Sequence, residues 1–328
     1  MASVAEANSG EAMKKVPDSL HVICPVYNEE KVVGAFYKVL SKVLEGVQNR
    51  YDWKVLFVMD RSSDRTLDVL RELSERDSRV QVLALSNRFG HQMSLVAGID
   101  HADSDVIVMM DSDLQHPPEL IPQMLDAFEK GNDVVYTIRS EAKDSSAFKR
   151  FGSRSFYRLM NWLAEVPLAS GEADFRLLSR RVADVFRNEI RERNQFLRGL
   201  VSWVGFERIG ITYDPAERID GSSKYNWTRM IRFASSGIIS FSKKPLQYAI
   251  ILGLLFATLG LISAVATFIE YFLNDQVPSG WATLSILVSV FGGIQLVFLG
   301  VIGEYVGAIF DEVKARPLYL IEERINFN

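Results

Sequence analysis

The sequence predicts an α/β domain with a mostly parallel sheet and helices on both faces, followed by a hairpin of two membrane-spanning helices. Two observations support this fold class. Between Leu20 and Thr137, short apolar runs alternate with helical patterns, as in βαβ units. Further along, residues 245–269 and 276–303 carry no formal charge. Each of these two stretches exceeds the roughly 20 apolar residues that span a bilayer as a helix.

The alternating region contains five predicted strands and four predicted helices. In chain order they are a strand at His21–Val26, a helix beginning at Asn28-Glu29-Glu30, a strand at Lys54–Met59, a helix at Asp64–Arg76, a strand at Val80–Leu85, a helix at Gln92–His101, a strand at Val106–Met110, a helix at Glu119–Lys130 and a strand at Val134–Thr137. The strands are near-continuous apolar runs, which is typical of buried parallel strands. The first helix start is predicted because Asn caps free N–H groups and acidic residues favour the positive end of a helix.

Composition excludes several classes of protein. The 328 residues are 48% hydrophobic and 24% charged, with a net charge of −4, unlike a disordered, collagenous or disulfide-stapled chain. The mild acidity gives no reason to expect a nucleic-acid partner. Cys24, the single cysteine, excludes an intramolecular disulfide and a cysteine metal cluster. Because it lies in an apolar run, we expect a buried structural thiol.

The chain divides into a soluble region and a membrane region. The predicted segments are a disordered tail at 1–19, a cytosolic catalytic domain at 20–226, a juxtamembrane amphipathic helix at 227–244, the hairpin at 245–303 and a cytosolic C-terminal tail at 304–328. The N-terminal tail has no apolar core, so it is not predicted to be a signal peptide. Basic residues flank both spans on their outer sides, whereas the linker between the spans has none, which places both ends in the cytoplasm.

Carboxylates follow three of the predicted strands, at Glu29, at Asp60, and at Asp111 and Asp113. Ligands of parallel sheets bind at the carboxyl ends of the strands. Residues two apart in an extended segment point the same way, so Asp111 and Asp113 can share one partner. Mg²⁺ or Mn²⁺ suits such oxygen ligands, particularly together with substrate phosphates. The alternative is an Asp-rich capping turn without a metal.

Several motifs together resemble a known family. In order, they are Pro25-Val26-Tyr27-Asn28-Glu29-Glu30, Asn87-Arg88-Phe89-Gly90-His91, Asp111-Ser112-Asp113-Leu114-Gln115-His116-Pro117-Pro118-Glu119, Asp174-Phe175-Arg176, Arg218-Ile219-Asp220-Gly221-Ser222-Ser223-Lys224-Tyr225 and Gly303-Glu304-Tyr305. With the hairpin, this order resembles family-2 glycosyltransferases with a Rossmann-like GT-A fold. More narrowly, it resembles the membrane-anchored polyisoprenyl-phosphate glycosyltransferases, the bacterial relatives of dolichyl-phosphate mannose synthase. The resemblance covers nearly all of residues 20–320.

The resemblance implies roles for the donor site. Pro25, Tyr27, Glu29 and Asp60 would hold the nucleoside, expected to be uridine. Asp111 and Asp113 would bind the metal and the diphosphate, with Gln115 as a further metal ligand. The stretch after the second strand departs from the family pattern: Asp-Asp-Gly-Ser is replaced by Asp60-Arg61-Ser62-Ser63. Asp60 is retained, and Arg61 would alter the nucleotide preference or contact a phosphate.

The acceptor side is also implied by the resemblance. Asp174 would act as a general base or position the acceptor; the alternatives are a structural pairing with Arg176 and a competing role for Glu172. Arg218, Lys224 and Arg139 are the candidate ligands of a lipid phosphate. A basic stripe at Arg150, Arg154 and Arg158 is either a solvated helix face or an interfacial helix. The pattern over 227–238 is amphipathic and would either meet the bilayer or pack under the domain.

The expected reaction is an inverting transfer of a hexose, glucose from UDP-glucose, to undecaprenyl or a related polyisoprenyl phosphate. A processive polysaccharide synthase is the nearest alternative. It is disfavoured because the chain reads Gln195-Phe196-Leu197-Arg198-Gly199 instead of Gln-x-x-Arg-Trp. A catalytically silent binding protein and a metal-dependent phosphohydrolase are further alternatives. Gly303-x-x-x-Gly307 allows close helix approach, and a homo-oligomer is expected.

Overall fold

The computed structural model describes residues 19–140, 171–214, 242–273 and 280–327. Within them lie eight strands: β1 Ser19–Val26, β2 Asp52–Met59, β3 Val80–Leu85, β4 Val106–Met109, β5 Val134–Arg139, β6 Glu172–Ser179, β7 Arg208–Tyr213 and β8 Ile321–Ile325. The helices are α1 Val33–Glu45, α2 Thr66–Arg76, α3 His91–His101, α4 Ile121–Glu129, α5 Arg180–Asn188, α6 Leu197–Trp203, α7 Lys244–Leu273 and α8 Trp281–Lys314. A 3₁₀ turn at Pro118–Leu120 precedes α4.

All eight strands form one mixed sheet in the order β7-β5-β6-β4-β1-β2-β3-β8. The pairs β4–β1, β1–β2, β2–β3 and β5–β7 are parallel, whereas β6 runs antiparallel to both of its neighbours and β8 runs antiparallel to β3. The predicted fold class, a mostly parallel sheet covered by helices and followed by two apolar helices, is confirmed. The five predicted strands occur at their predicted places, with ends that differ by up to two residues.

The core has two halves, one on each face of the sheet. Val22, Cys24 and Val26 of β1 point to one face, where α1, α2 and α4 pack, and Ile23 points to the other, where α3, α5 and α6 pack. Adjacent side chains of a strand point to opposite faces, so a strand buried on both sides must be apolar throughout. Cys24 is fully buried, as predicted, and burial raises the pKa of its thiol.

The predicted helix start at Asn28 is wrong. The first helix begins at Val33, and Asn28 adopts a positive φ of 54°. Its Oδ1 accepts the Ser63 N–H at 2.8 Å, and the Glu29 N–H donates to Thr66 Oγ1 at 2.9 Å. These polar residues therefore tie the end of β1 to the loop after β2 instead of capping α1.

Three strands were not predicted from the sequence. β6 inserts between β4 and β5, so Asp174 lies within the sheet. β7 pairs with β5 at one edge. At the opposite edge β8 pairs with β3, and the Arg71 guanidinium contacts Glu323 at 2.6 Å. The segment predicted as a C-terminal tail thus contributes the last turns of α8 and an edge strand.

The two C-terminal helices contain candidate membrane spans at Lys244–Ile269 and Val290–Lys314. Both are long and apolar enough to cross a membrane, and none of their apolar windows is buried inside the fold, unlike a core helix. Two hydrogen bonds join α8 to residues outside the two helices. The Tyr305 hydroxyl donates to the Ser242 carbonyl at 2.7 Å, and Glu312 accepts the Arg193 N–H at 2.8 Å.

Candidate active site

The carboxyl ends of β1, β2 and β4 open into one cleft. A cavity of about 260 Å³ lies there, and its lining includes every predicted nucleotide-binding residue: Pro25, Tyr27, Glu29, Asp60 and Asp111, together with Asp113. These residues come together because β1 lies between β2 and β4, so the three parallel strands end side by side. The Ser112 hydroxyl donates to the Pro25 carbonyl at 3.2 Å and joins two of the strand ends directly.

Asp60 holds the loop that begins α3. Its side chain is buried, and its two oxygens accept the backbone N–H groups of Phe89 and Gly90, each at 2.8 Å. Gly90 has a φ of 95°, a conformation that other residues rarely adopt. Asp60 lines the cavity as predicted, but both of its oxygens also serve the loop.

Two arginines near Asp60 differ in position. Arg61, at the departure from the family pattern, donates to the Ser86 carbonyl at 2.9 Å beyond the end of β3. Arg88 lines the cavity, and its guanidinium lies 4.2 Å from the centroid of the Tyr27 ring. Arg88 was not among the predicted site residues, although it lies within the Asn87–His91 motif. A cation beside an exposed aromatic ring suits a nucleotide, whose base stacks and whose phosphates are anionic.

Asp111 contacts two histidines. His91 Nε2 lies 2.7 Å from Asp111 Oδ1, and the Asp111 N–H donates to His116 Nδ1 at 3.0 Å. Burial alone would raise the pKa of Asp111, but the hydrogen bond from His91 and the interactions with His116 and His91 together outweigh it and hold that pKa below its usual value. Burial alone would lower the pKa of His91, and Asp111 raises it in return. His116 is stacked on Phe175 with ring centroids 5.4 Å apart, and burial lowers its pKa.

Asp113 and Gln115 form a tight turn after β4. Asp113 Oδ1 accepts the Gln115 N–H at 3.1 Å, and the Gln115 amide also donates to Asp113 Oδ2. Leu114 between them has a φ of 61°. Burial raises the pKa of Glu29, and the nearby charges of Asp113 and Asp64 raise it further. The cleft is therefore electronegative where these carboxylates converge.

The donor set of the cleft fits a hard divalent cation. Asp111, Asp113 and Gln115 offer oxygen atoms, and Mg²⁺ commonly uses one or two carboxylates with the rest of its shell supplied by water and phosphate. Among the residues that the structure describes, no group of three or more His, Cys, Asp or Glu side chains gathers as a closed metal site.

A second cavity, of about 310 Å³, adjoins the first. It shares Asp111 and Asp113 with the first cavity, and its remaining lining residues are Gln115, His116, Arg139, Gly171, Glu172, Ala173, Asp174, Arg198 and Tyr213. The predicted residues Asp174 and Arg139 are therefore brought together with the carboxylates of β4. Arg218 and Lys224, and the stripe at Arg150, Arg154 and Arg158, lie outside the described residues.

Asp174 is bound by two arginines. Its Oδ1 and Oδ2 accept hydrogen bonds from Nε and Nη2 of Arg198, each at 2.9 Å, and Arg176 Nη2 lies 3.2 Å from Oδ1. Burial opposes its ionisation, yet Arg198 and Arg176 hold the pKa of Asp174 well below its usual range. Burial raises the pKa of Glu172, which lies 3.6 Å from Arg176. The predicted Asp174–Arg176 pairing is present, but Arg198, which the sequence analysis did not assign to the site, makes the closer contacts.

Comparison with known proteins gives consistent matches. Residues 21–186 match the family described as Glycosyl transferase family 2. The chain is similar to the uncharacterized glycosyltransferase YkcC of Bacillus subtilis (strain 168), with 39% identity over 92% of this chain and 93% of that protein. It is also similar to the SfII prophage-derived bactoprenol glucosyl transferase of Shigella flexneri, with 34% identity over 93% of this chain and 97% of that protein.

Among solved structures, the chain is similar to mannosyl-3-phosphoglycerate synthase from Rubrobacter xylanophilus. The match has a TM-score of 0.45 and 14% identity, and it covers 66% of this chain and 71% of that one.

Proposed function

The chain belongs to glycosyl transferase family 2 and is a glycosyltransferase, and from that premise we propose that it transfers a hexose from a nucleotide sugar to a polyisoprenyl phosphate. The proposed donor is UDP-glucose and the proposed acceptor is undecaprenyl phosphate. The relatives that support this choice include proteins named bactoprenol glucosyl transferases, from Shigella flexneri and from its phages SfII, SfV and SfX.

One observation carries the proposal: Asp111 and Asp113 line both cavities. A transferase must hold two substrates so that their reacting atoms meet, whereas a hydrolase needs room for one substrate and water. The cavity beside Tyr27 and Arg88 has the chemistry of a nucleotide site. The cavity beside Arg139 and Arg198 has cations for an anionic acceptor. The anomeric carbon would lie between the two cavities.

The residues of the chain divide the work of the reaction. Asp111 and Asp113 would hold a Mg²⁺ or Mn²⁺ ion, with Gln115 as a further ligand, and such an ion acts as a Lewis acid on the departing diphosphate. The hydrogen bond from His91 orients Asp111 and favours its ionised form. Asp60 fixes the loop that carries Arg88. The acceptor phosphate attacks in line, so the anomeric configuration inverts.

We further propose that the two apolar helices anchor the enzyme in the cytoplasmic membrane as a hairpin, with the catalytic domain and both ends in the cytoplasm. The basic residues that flank the spans support this orientation. Arg218 and Lys224 remain the proposed contacts to the lipid phosphate, and the assembly is proposed to be a homo-oligomer. The product would be a sugar linked through phosphate to a membrane lipid.

The test uses the purified full-length protein in detergent with undecaprenyl phosphate, Mg²⁺ or Mn²⁺ and a panel of radiolabelled nucleotide sugars. We expect label from UDP-glucose in the organic phase and its loss without a divalent cation. Asp113→Asn should abolish transfer. Asp103→Asn is the matched control, since Asp103 precedes β4, the strand that Asp113 follows, and its side chain is 90% exposed.

The other outcomes identify the alternatives. A polymeric product would establish a processive synthase, and release of UDP at full rate without acceptor would establish a hydrolase. Transfer from another sugar nucleotide would retain the reaction class and correct the donor. If no label enters the lipid from any nucleotide sugar, the proposed acceptor is wrong.

A further inference from the structure

We propose that Arg198 binds the acceptor phosphate and that Asp174 serves as its positioning residue, not as a proton acceptor. This inference rests on the proposed function, because it assigns the acceptor end of the same site. It concerns an arginine in the stretch Gln195–Gly199. The spacing of residues in the sequence does not indicate that this arginine pairs with a carboxylate on β6.

The backbone of Arg198 is fixed by packing. It is the second residue of α6, whose neighbouring residues Leu197, Leu200 and Val201 are buried against the same core half as α3. The Leu197 N–H also donates to Gln92 Oε1 of α3 at 3.3 Å. The guanidinium therefore extends from a rigid element, and its direction is decided by what it contacts at its tip.

Asp174 decides that direction. Its two oxygens accept Nε and Nη2 of Arg198 in a parallel fork, which fixes the plane of the guanidinium as well as its distance. Arg176, which is 1% exposed, holds the carboxylate from behind through Oδ1. Lysine has no planar fork and could not be fixed in this way.

A carboxylate held like this is a poor base. Three N–H donors from two guanidinium groups occupy its oxygens, and a proton would have to displace them. The two arginines hold the pKa of Asp174 well below its usual range. General-base catalysis works best when the pKa lies near the working pH. Asp174 is ionised at every physiological pH, but it holds a proton too weakly to accept one in the reaction.

The reaction needs no base at this point. A phosphate monoester has a second pKa of about 6, so the acceptor is already largely dianionic at neutral pH. One of its oxygens forms a bond to the anomeric carbon while the bond from that carbon to the diphosphate oxygen breaks. The electron pair leaves with the nucleoside diphosphate, and no proton is transferred. What the dianion needs instead is a fixed positive charge.

The acceptor cavity supplies that charge next to the reacting centre. Its lining has two cations, Arg139 and Arg198, beside the Asp111 and Asp113 carboxylates. Charges of Asp174 and Arg198 both act on His91, the partner of Asp111. The Arg198–Asp174 pair therefore lies within electrostatic reach of the donor side, where an attacking phosphate must be held.

The experiment separates acceptor binding from turnover. The full-length enzyme is assayed with undecaprenyl phosphate over a range of concentrations at saturating donor, for Arg198→Lys, Arg198→Gln, Asp174→Asn and the double variant Asp174→Asn/Arg198→Gln. Arg50→Lys is the matched control, because Arg50 is likewise an arginine held by carboxylates, at 2.7 Å from Asp126 and 2.8 Å from Glu129, but lies away from the two cavities of the active site. Thermal melting of each variant verifies that it is folded.

We expect both Arg198 variants to raise the KM for the lipid acceptor about tenfold to a hundredfold, as for a lost charged hydrogen bond. The KM for the donor should stay within about twofold. Asp174→Asn should raise the acceptor KM in the same direction by less, because an amide still accepts one hydrogen bond. The double variant should match Arg198→Gln, since Asp174 acts through Arg198.

Two results would overturn the inference. If Asp174→Asn lowers kcat more than a hundredfold with an unchanged acceptor KM, Asp174 acts directly on the reacting atoms. If Arg198→Gln binds the acceptor as the wild type does, another group holds the phosphate. Failure of the proposed function is distinguishable, because the wild-type enzyme would then transfer no sugar to a polyisoprenyl phosphate at all.

Discussion

Replacing Asp60 by Asn tests whether this carboxylate organises the donor site through the loop before α3. In the wild type, each carboxylate oxygen accepts one backbone N–H, from Phe89 and from Gly90, at 2.8 Å. An Asn keeps one of these bonds, without the negative charge, and turns its own NH₂ group towards the other donor. A hydrogen bond to a charged group contributes about 1.5–3 kcal/mol, so we expect a loss of about 3 kcal/mol.

This loss should appear before any ligand is added. For a domain of this size, 1 kcal/mol corresponds to about 2–4 °C in Tm, so the ligand-free Tm should fall by about 6–12 °C. Nucleotide affinity, measured by calorimetry with UDP, should fall about tenfold, because binding must then reorder the loop that carries Arg88. Saturating UDP should recover part of the Tm.

Asp52→Asn is the control, because Asp52 is exposed at the other end of the same strand. Its Tm and affinity should match those of the wild type. An Asp60→Asn variant that melts within about 1 °C of the wild type but loses UDP affinity would contradict this role of Asp60. That outcome would mean that Asp60 contacts the nucleoside and that the loop does not depend on it.

Three further predictions concern stability. In Gly98→Ala, the new Cβ would lie 2.3 Å from Ile23 Cγ2, so an overpacking cost of about 1–3 kcal/mol should exceed the gain in helix propensity of about 1 kcal/mol and lower the Tm. Adding Ile23→Leu, which removes that methyl group, should restore part of the lost Tm. A raised Tm in Gly98→Ala would contradict this packing. Burial lowers the pKa of His21 to about 4, below the unfolded value near 6.5. The contribution of neutral His21 to the stability of the fold is therefore complete above pH 6.5 and is lost as the pH falls towards 4. His21→Leu should reduce the difference in Tm between pH 7 and pH 5, and an unchanged difference would refute this role. The Asn326 side chain donates to two backbone carbonyls at 2.9 Å, so Asn326→Ala should speed hydrogen exchange of the amides in β8 without affecting β1. Equal exchange of these amides in the variant and the wild type would show that the two bonds are dispensable.

The strands that carry the donor site were predictable because their signal is local. β1, β2 and β4 are apolar runs, and the carboxylates follow them directly, so strand pairing alone brings Asp111 to the end of β1. The prediction of a helix start at Asn28 was wrong because the same residue type serves two different structures. An Asn side chain that caps a helix looks the same in sequence as one that accepts the N–H of Ser63, 35 residues away.

β6 and β8 were not predicted for a related reason. β6 carries Arg176, a buried cation whose partners Glu172 and Asp174 are on the same strand, so its sequence reads as polar. β8 reads Ile-Glu-Glu-Arg-Ile, and its pairing partner β3 lies more than 230 residues earlier. Arg198 was not predicted as a site residue because its position depends on the carboxylate that it contacts, and that carboxylate, Asp174, lies 24 residues earlier in the chain.

The position of β8 has a consequence for how the protein is made. β3 is buried on both faces, and its outer edge pairs with a strand that is synthesised after both apolar helices. Until the chain emerges past Ile325, the nascent catalytic domain exposes an unpaired strand edge, which is the kind of surface that joins other chains. The two apolar helices are made before that strand, so in the proposed membrane arrangement their insertion into the bilayer precedes completion of the sheet. In the proposed membrane arrangement, a ribosome that stalls after α8 would leave on the membrane a domain that is open to edge-to-edge association.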